Sequence, residues 1–125
     1  MIKAILFVGA GGFVGSVFRY LVQLFISKHF VSPFPWPTFA VNIVGCLLIG
    51  MLYALADRGQ VMTPELRLLL VTGFCGGFTT FSSFAFDNVN LLQQGYVFHT
   101  FLYILVSVVL GILFAYLGVF LIKIF

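Results

Sequence analysis

Gly73-Phe74-Cys75-Gly76-Gly77-Phe78-Thr79-Thr80 lies in the middle of an apolar run from Pro64 to Gln94. The run is 31 residues long, whereas one helical membrane span needs about 20. Gly73, Gly76 and Gly77 place three poor helix formers within five positions. The run therefore predicts one span made of two half-helices, with the break inside this stretch. In lipid such a break is tolerated only where protein or a water-filled cavity covers the freed backbone groups. The start of the run is marked by Thr63 as a cap, Pro64 at the first helical position and Glu65 at the positive end of the helix dipole. Gln93-Gln94-Gly95 ends it.

Outward from this stretch the chain reads as three more spans. Helix 1 is expected from about Ile2 to Ile26 and helix 2 from about Pro37 to Ala56. Helix 4 is expected from about Phe98 to Ile124. Between the first two, Ser32-Pro33-Phe34-Pro35-Trp36-Pro37 is too rich in proline to be helical, and Trp36 suits the membrane–water interface. Asp57-Arg58-Gly59-Gln60 reads as an aqueous turn. Of the 125 residues 62% are hydrophobic and 7% charged, against roughly 25% charged in an average soluble domain. So short a soluble chain could not hide that much apolar surface. A single four-helix transmembrane domain over residues 1–125 is expected, all-α and multi-pass. Lys3, Arg58, Arg67 and Lys123 fall on one side of the membrane and Lys28 on the other, which places both termini in the cytoplasm by the positive-inside rule.

Several function classes drop out. The six basic residues are scattered, so no nucleic-acid-binding patch forms. Cys46 and Cys75 stand alone in apolar stretches and read as small buried hydrophobes, not as ligands or a disulfide pair. The first apolar segment is too long for a signal peptide and lacks a cleavage site. His29 and His99 lie in or beside loops and are expected to be solvated. With no nucleophile–base pair and no metal cluster, an enzyme is not expected.

Polar residues within a membrane are costly and mark candidate sites. Thr38, Asn42 and Cys46 recur every four residues in helix 2; Thr80, Ser83 and Asp87 share a face of the second half of helix 3; Tyr103, Ser107, Gly111 and Ala115 form a third stripe in helix 4. Gly11 and Gly15, like Gly111 and Ala115, read as packing positions that let helices approach closely. The Asn42 amide reads equally as interhelical glue or as an anion donor. Phe81 and Phe84, three apart, share a face and belong by default to packing. Their positive ring edges would also suit a small anion that must be able to leave again. Arg19 is expected to snorkel toward the interface, with an electropositive vestibule as the other reading. Asp87 is an interfacial residue or a polar element at a pore mouth.

Three segments carry a family resemblance. They are Gly11-Gly12-Phe13-Val14-Gly15-Ser16-Val17-Phe18-Arg19-Tyr20, Thr38-Phe39-Ala40-Val41-Asn42-Ile43-Val44-Gly45, and the glycine-rich stretch continued through Phe81-Ser82-Ser83-Phe84. Together they resemble the Fluc (CrcB) family of fluoride channels. The resemblance implies an antiparallel, dual-topology dimer with two fluoride pores. It makes Phe81 and Phe84 the pore phenylalanines and Asn42 the pore asparagine. Tyr103 and Ser107 become pore-side groups of helix 4, and Thr38 and Ser83 hydroxyls along the path. It further implies a structural sodium ion at the dimer interface, held by backbone carbonyls of Gly76 and Thr79 from both subunits. Asp87 stands where family members commonly carry Glu, and Ala115 or a neighbour replaces a hydroxyl in helix 4. A homodimer is preferred over a heterodimer of paired, oppositely oriented subunits. The expected setting is the bacterial inner membrane, with fluoride, lipid and a second copy of the chain as partners and fluoride resistance as the outcome. The rival classes are a small multidrug-type proton-coupled exporter, which would need a carboxylate in helix 1, and a non-transporting membrane assembly subunit.

Overall fold

In the computed structural model, which describes residues 1–59 and 62–125, the apolar runs form helices α1 (Ile2–His29), α2 (Trp36–Asp57) and α6 (Val97–Ile124), with a composite third span between the last two. That span starts as α3 (Pro64–Arg67), widens into a π-helical stretch (Leu68–Cys75), closes as α4 (Gly76–Phe78), and resumes as α5 (Phe81–Gln93). All four spans are long and apolar enough to cross a bilayer, the broken third being the least apolar with a mean hydropathy of 1.5 against 2.7 for α6. Gln60, the last residue of the expected turn, lies outside the described residues.

The third span begins as expected, with the Thr63 hydroxyl accepting the Leu66 N–H at 3.1 Å and Pro64 at the first position. The break falls inside the expected stretch, at its last two residues, Thr79 and Thr80, both extended (ψ 157° and 116°). The glycines before it remain helical. Two of them serve packing: Gly73 abuts Gly11 of α1 at 2.9 Å and Gly77 abuts the Gly12 carbonyl at 2.6 Å, measured from an ideal Cβ built on each. The same treatment of Gly11 and Gly15 runs into the backbones of Leu69 and Phe74. Close backbone approach of this kind is how helices bind in lipid, where burial of apolar surface provides no drive. Over the eight residues Leu68–Cys75 the backbone bonds run to the fifth residue instead of the fourth, a geometry found mostly at functional sites.

The break redirects the chain. Its first half lies along α1, whereas α5 leans on α6, which itself packs along most of α2. On the α2–α6 seam, side chains at Gly50 and Gly118 would meet the backbones of Ala115 and Leu47, so the helix 4 stripe serves packing at its Gly111 and Ala115 end. An aromatic core ties the α5, α6 and α1–α2 connections together: Phe34, Leu91 and Tyr103 are buried, with Phe39 and Phe84 packed against them. Phe34 meets the Tyr103 ring edge-on at 5.3 Å. α5 stops in a Schellman turn, with Tyr96 N–H bonded to Leu91 C=O, Gly95 N–H to Leu92 C=O, and Gly95 at φ 86°.

The basic residues assigned to one side do gather there. Lys3 reaches Glu65 at 3.6 Å, both exposed, and the Arg58 guanidinium donates to the Ile122 carbonyl at the end of α6. Large apolar side chains are exposed along every span, from Phe13 and Phe25 in α1 to Phe101 and Tyr116 in α6, as a lipid-facing or subunit-facing surface requires.

Candidate functional site

Asn42, in the second turn of α2, faces the break. Its side-chain amide donates to the Thr80 carbonyl (3.1 Å) and accepts the Thr80 N–H (2.8 Å). An amide group thus replaces the strand or helix partner that extended backbone lacks at membrane depth. Asn42 is thus interhelical glue, and its second amide proton has no hydrogen-bond partner among the described residues. Thr79 turns back on the first half-helix, its hydroxyl and its N–H both donating to Cys75 C=O at 2.9 and 3.0 Å. The Thr80 hydroxyl caps α5 by accepting the Ser83 N–H at 3.2 Å.

A groove of about 330 Å³ opens beside the break. Asn42, Phe81, Phe84 and Ser107 line it, so four residues singled out in three separate helices come together in one place. Phe81 is 79% exposed, while Phe84 stacks obliquely on Tyr103 at 4.9 Å, and the two phenylalanine rings lie 5.7 Å apart. The Ser107 hydroxyl oxygen is buried and has no hydrogen-bond partner within the described residues. α5 starts at Phe81, so its positive end also opens on the groove.

Three of the other predicted residues form a second cluster. Tyr103, fully buried, donates its hydroxyl to an Asp87 carboxylate oxygen at 3.1 Å. Thr38, 5% exposed, lies beside both groups. Ser83 is half-buried and does not line the groove; its backbone serves the cap. Arg19 is half-buried and turned inward, with Nε donating to Gly77 C=O at 2.9 Å. It braces the end of the first half-helix instead of snorkelling outward.

Carbonyls at the break match the oxygen chemistry a hard cation needs. In an unbroken helix Gly76 C=O would accept from Thr80 N–H and Thr79 C=O from Ser83 N–H. Those donors go instead to Asn42 and to the Thr80 hydroxyl. Gly76 is exposed, with open space where its Cβ would stand. Among the described residues no group of three His, Cys, Asp or Glu gathers into a metal site.

Sequence reasoning missed some of the groove. Cys46, read as a buried hydrophobe, is half-buried and lines it, as do Gly45, Thr79 and Thr80. The signal for Cys46 was present, since it continues the Thr38–Asn42 stripe. Cys75 is buried, as read. His29 is exposed at the end of α1, and His99 is partly covered in the first turn of α6.

A groove of amide, hydroxyl and aromatic groups at a broken span places the chain among membrane proteins that pass small solutes. The family described as CrcB-like protein, Camphor Resistance (CrcB), matches residues 6–119. A relative from Chlorobium phaeobacteroides (strain BS1), named Fluoride-specific ion channel FluC, is 51% identical over 92% of this chain and 89% of its own. Relatives of the same name from Flavobacterium psychrophilum and Phocaeicola vulgatus are 43% and 48% identical, covering 97% and 94% of this chain and 98% and 96% of theirs. The chain belongs to the CrcB family, and it is a multi-pass bacterial membrane protein.

Proposed function

We propose that this protein is a fluoride-selective channel that lets fluoride leave the cytoplasm passively. The observation that carries the reading is the convergence of Asn42, Phe81, Phe84 and Ser107 on one groove at the helix break, in a chain closely similar to proteins named fluoride-specific ion channels. Hydrogen fluoride crosses membranes as a neutral acid and dissociates in the less acidic cytoplasm, where the anion is trapped. A channel releases it down the inside-negative potential, which is worth about 2.3 kcal/mol per charge per 100 mV.

Fluoride must exchange its hydration for protein donors. The second amide proton of Asn42, the unpartnered Ser107 hydroxyl and the positive edges of Phe81 and Phe84 are those donors. None is a fixed cation, and Arg19, which reaches the end of the first half-helix, is engaged with Gly77. Binding to such groups is favourable enough to admit the ion and weak enough to release it.

The pore is completed by a second copy of the chain. One subunit offers a groove that is open on one side, a highly exposed Phe81 and an exposed Gly76. An antiparallel, dual-topology homodimer would cover these surfaces and make two pores, one per groove. A sodium ion at the dimer centre would take the Gly76 and Thr79 carbonyls of both subunits and supply a structural positive charge between them. The clustering of Lys3, Arg58, Arg67 and Lys123 at one end keeps a heterodimer of oppositely biased subunits as the variant assembly. The exporter reading is disfavoured because α1 carries no Asp or Glu.

Liposomes loaded with fluoride and carrying either wild-type protein or the Phe81→Ala, Phe84→Ala double variant test the reading. Rapid efflux from the wild type and little from the double variant is expected. Equal efflux from both would remove the phenylalanines from the mechanism.

A further inference from the structure

We infer that Gln23 is a positioning residue for the polar cluster beside the groove, an inference that rests on the channel reading above. Gln23 lies within the last two turns of α1 and is half-buried, where an uncharged amide is costly unless it has a partner. Its partner is on α2: Nε2 donates to the Thr38 hydroxyl oxygen at 3.4 Å. Arg19, four residues earlier on the same face of α1, donates to Gly77. That face of α1 therefore braces two pore-side elements, the helix break through Arg19 and the α2 stripe through Gln23.

The direction of the Gln23 bond matters. Gln23 supplies a proton to Thr38, so the Thr38 oxygen acts as acceptor and its own proton turns elsewhere. Thr38 is 5% exposed, and Asp87 is the neighbouring acceptor. Asp87 also receives the Tyr103 hydroxyl at 3.1 Å. Gln23–Thr38 and Tyr103–Asp87 are thus two hydrogen-bonded pairs lying side by side, with a member from each of the four spans. Tyr103 holds the carboxylate from one side, and a Thr38 proton turned away from Gln23 is free to meet it from the other. Without Gln23 the Thr38 hydroxyl is free to rotate, Asp87 loses a fixed donor, and a negative charge gains freedom to swing toward the route of an anion.

Fluoride efflux from liposomes tests this through a double-variant cycle. Gln23→Met keeps length and removes the donor, and it lowers the efflux rate by roughly three- to tenfold, the span expected for one hydrogen bond. In a Thr38→Val background the same substitution has no further effect, because the two residues act as one unit. A general packing defect would persist in that background. Gln23→Glu is the second variant, used if Gln23→Met does not yield a monodisperse protein. It accepts from Thr38 instead of donating, so it pulls the proton away from Asp87 and produces the same loss. Wild-type efflux from either variant overturns the inference, as does an undiminished effect of the Gln23 substitution in the Thr38→Val background. Absence of fluoride efflux from the wild type would overturn the channel reading itself.

Discussion

Replacing Asn42 with Leu keeps the volume of the side chain and deletes both bonds to Thr80. Each neutral hydrogen bond contributes about 0.5–1.5 kcal/mol, and a donor or acceptor left unpaired away from water costs about 1–3 kcal/mol. Thr80 is half-buried, so the lower part of each range applies. Loss of the pair at 3.1 and 2.8 Å then amounts to about 2–4 kcal/mol. The break also loses its external support: Thr80 N–H is freed to reach back to Gly76 C=O, and α5 is free to rejoin the first half-helix. Unfolding of the purified protein by a denaturing detergent, followed by Trp36 fluorescence, reads the stability. Fluoride efflux from liposomes reads the function. Both should fall together in Asn42→Leu. A variant as stable as wild type to within about 0.5 kcal/mol, the scatter of neutral surface substitutions, would refute the clamp, and flux lost at wild-type stability would make Asn42 a fluoride ligand alone.

Other substitutions separate packing from conduction. Phe81 is 79% exposed in one subunit, so Phe81→Ala leaves subunit stability unchanged while cutting flux; Phe84→Ala cuts flux and also loses about 3 kcal/mol or more, as large-to-small changes against a buried aromatic core do, which the same unfolding assay reads. Gly77→Val sets a branched side chain against the Gly12 backbone and should give aggregated protein on gel filtration. Gly76→Val meets open space within the subunit, so it should leave the subunit folded yet shift the proposed dimer toward monomer on gel filtration in detergent. Exchange of sodium for a large organic cation should shift wild-type protein the same way, and a dimer indifferent to that exchange would count against the proposed ion.

Much of the fold was legible because a bilayer makes sequence periodicity direct. Apolar length located four spans to within one to three residues at each end, and polar stripes at four-residue spacing anticipated the faces that meet at the groove. The break was legible to within residues 73–80, but not that it would fall on the threonines instead of the glycines. Glycine weakens a helix without ending it, and here Gly73 and Gly77 are spent on contact with α1, leaving Thr79 and Thr80 to bend. The π-helical widening leaves no mark in composition. The partners of Arg19, Gln23 and Asn42 are 58, 15 and 38 residues away in sequence. No local pattern encodes bonds of that range, which is why Arg19 read as a snorkelling residue and Gln23 was passed over.

The central claim is tested most directly by ion efflux from liposomes containing only this purified protein, with fluoride and chloride compared side by side. Fast loss of fluoride with chloride retained is the result the account predicts, and it would show that one gene product is sufficient. Retention of both ions by a well-folded preparation, or release of both alike, would contradict it.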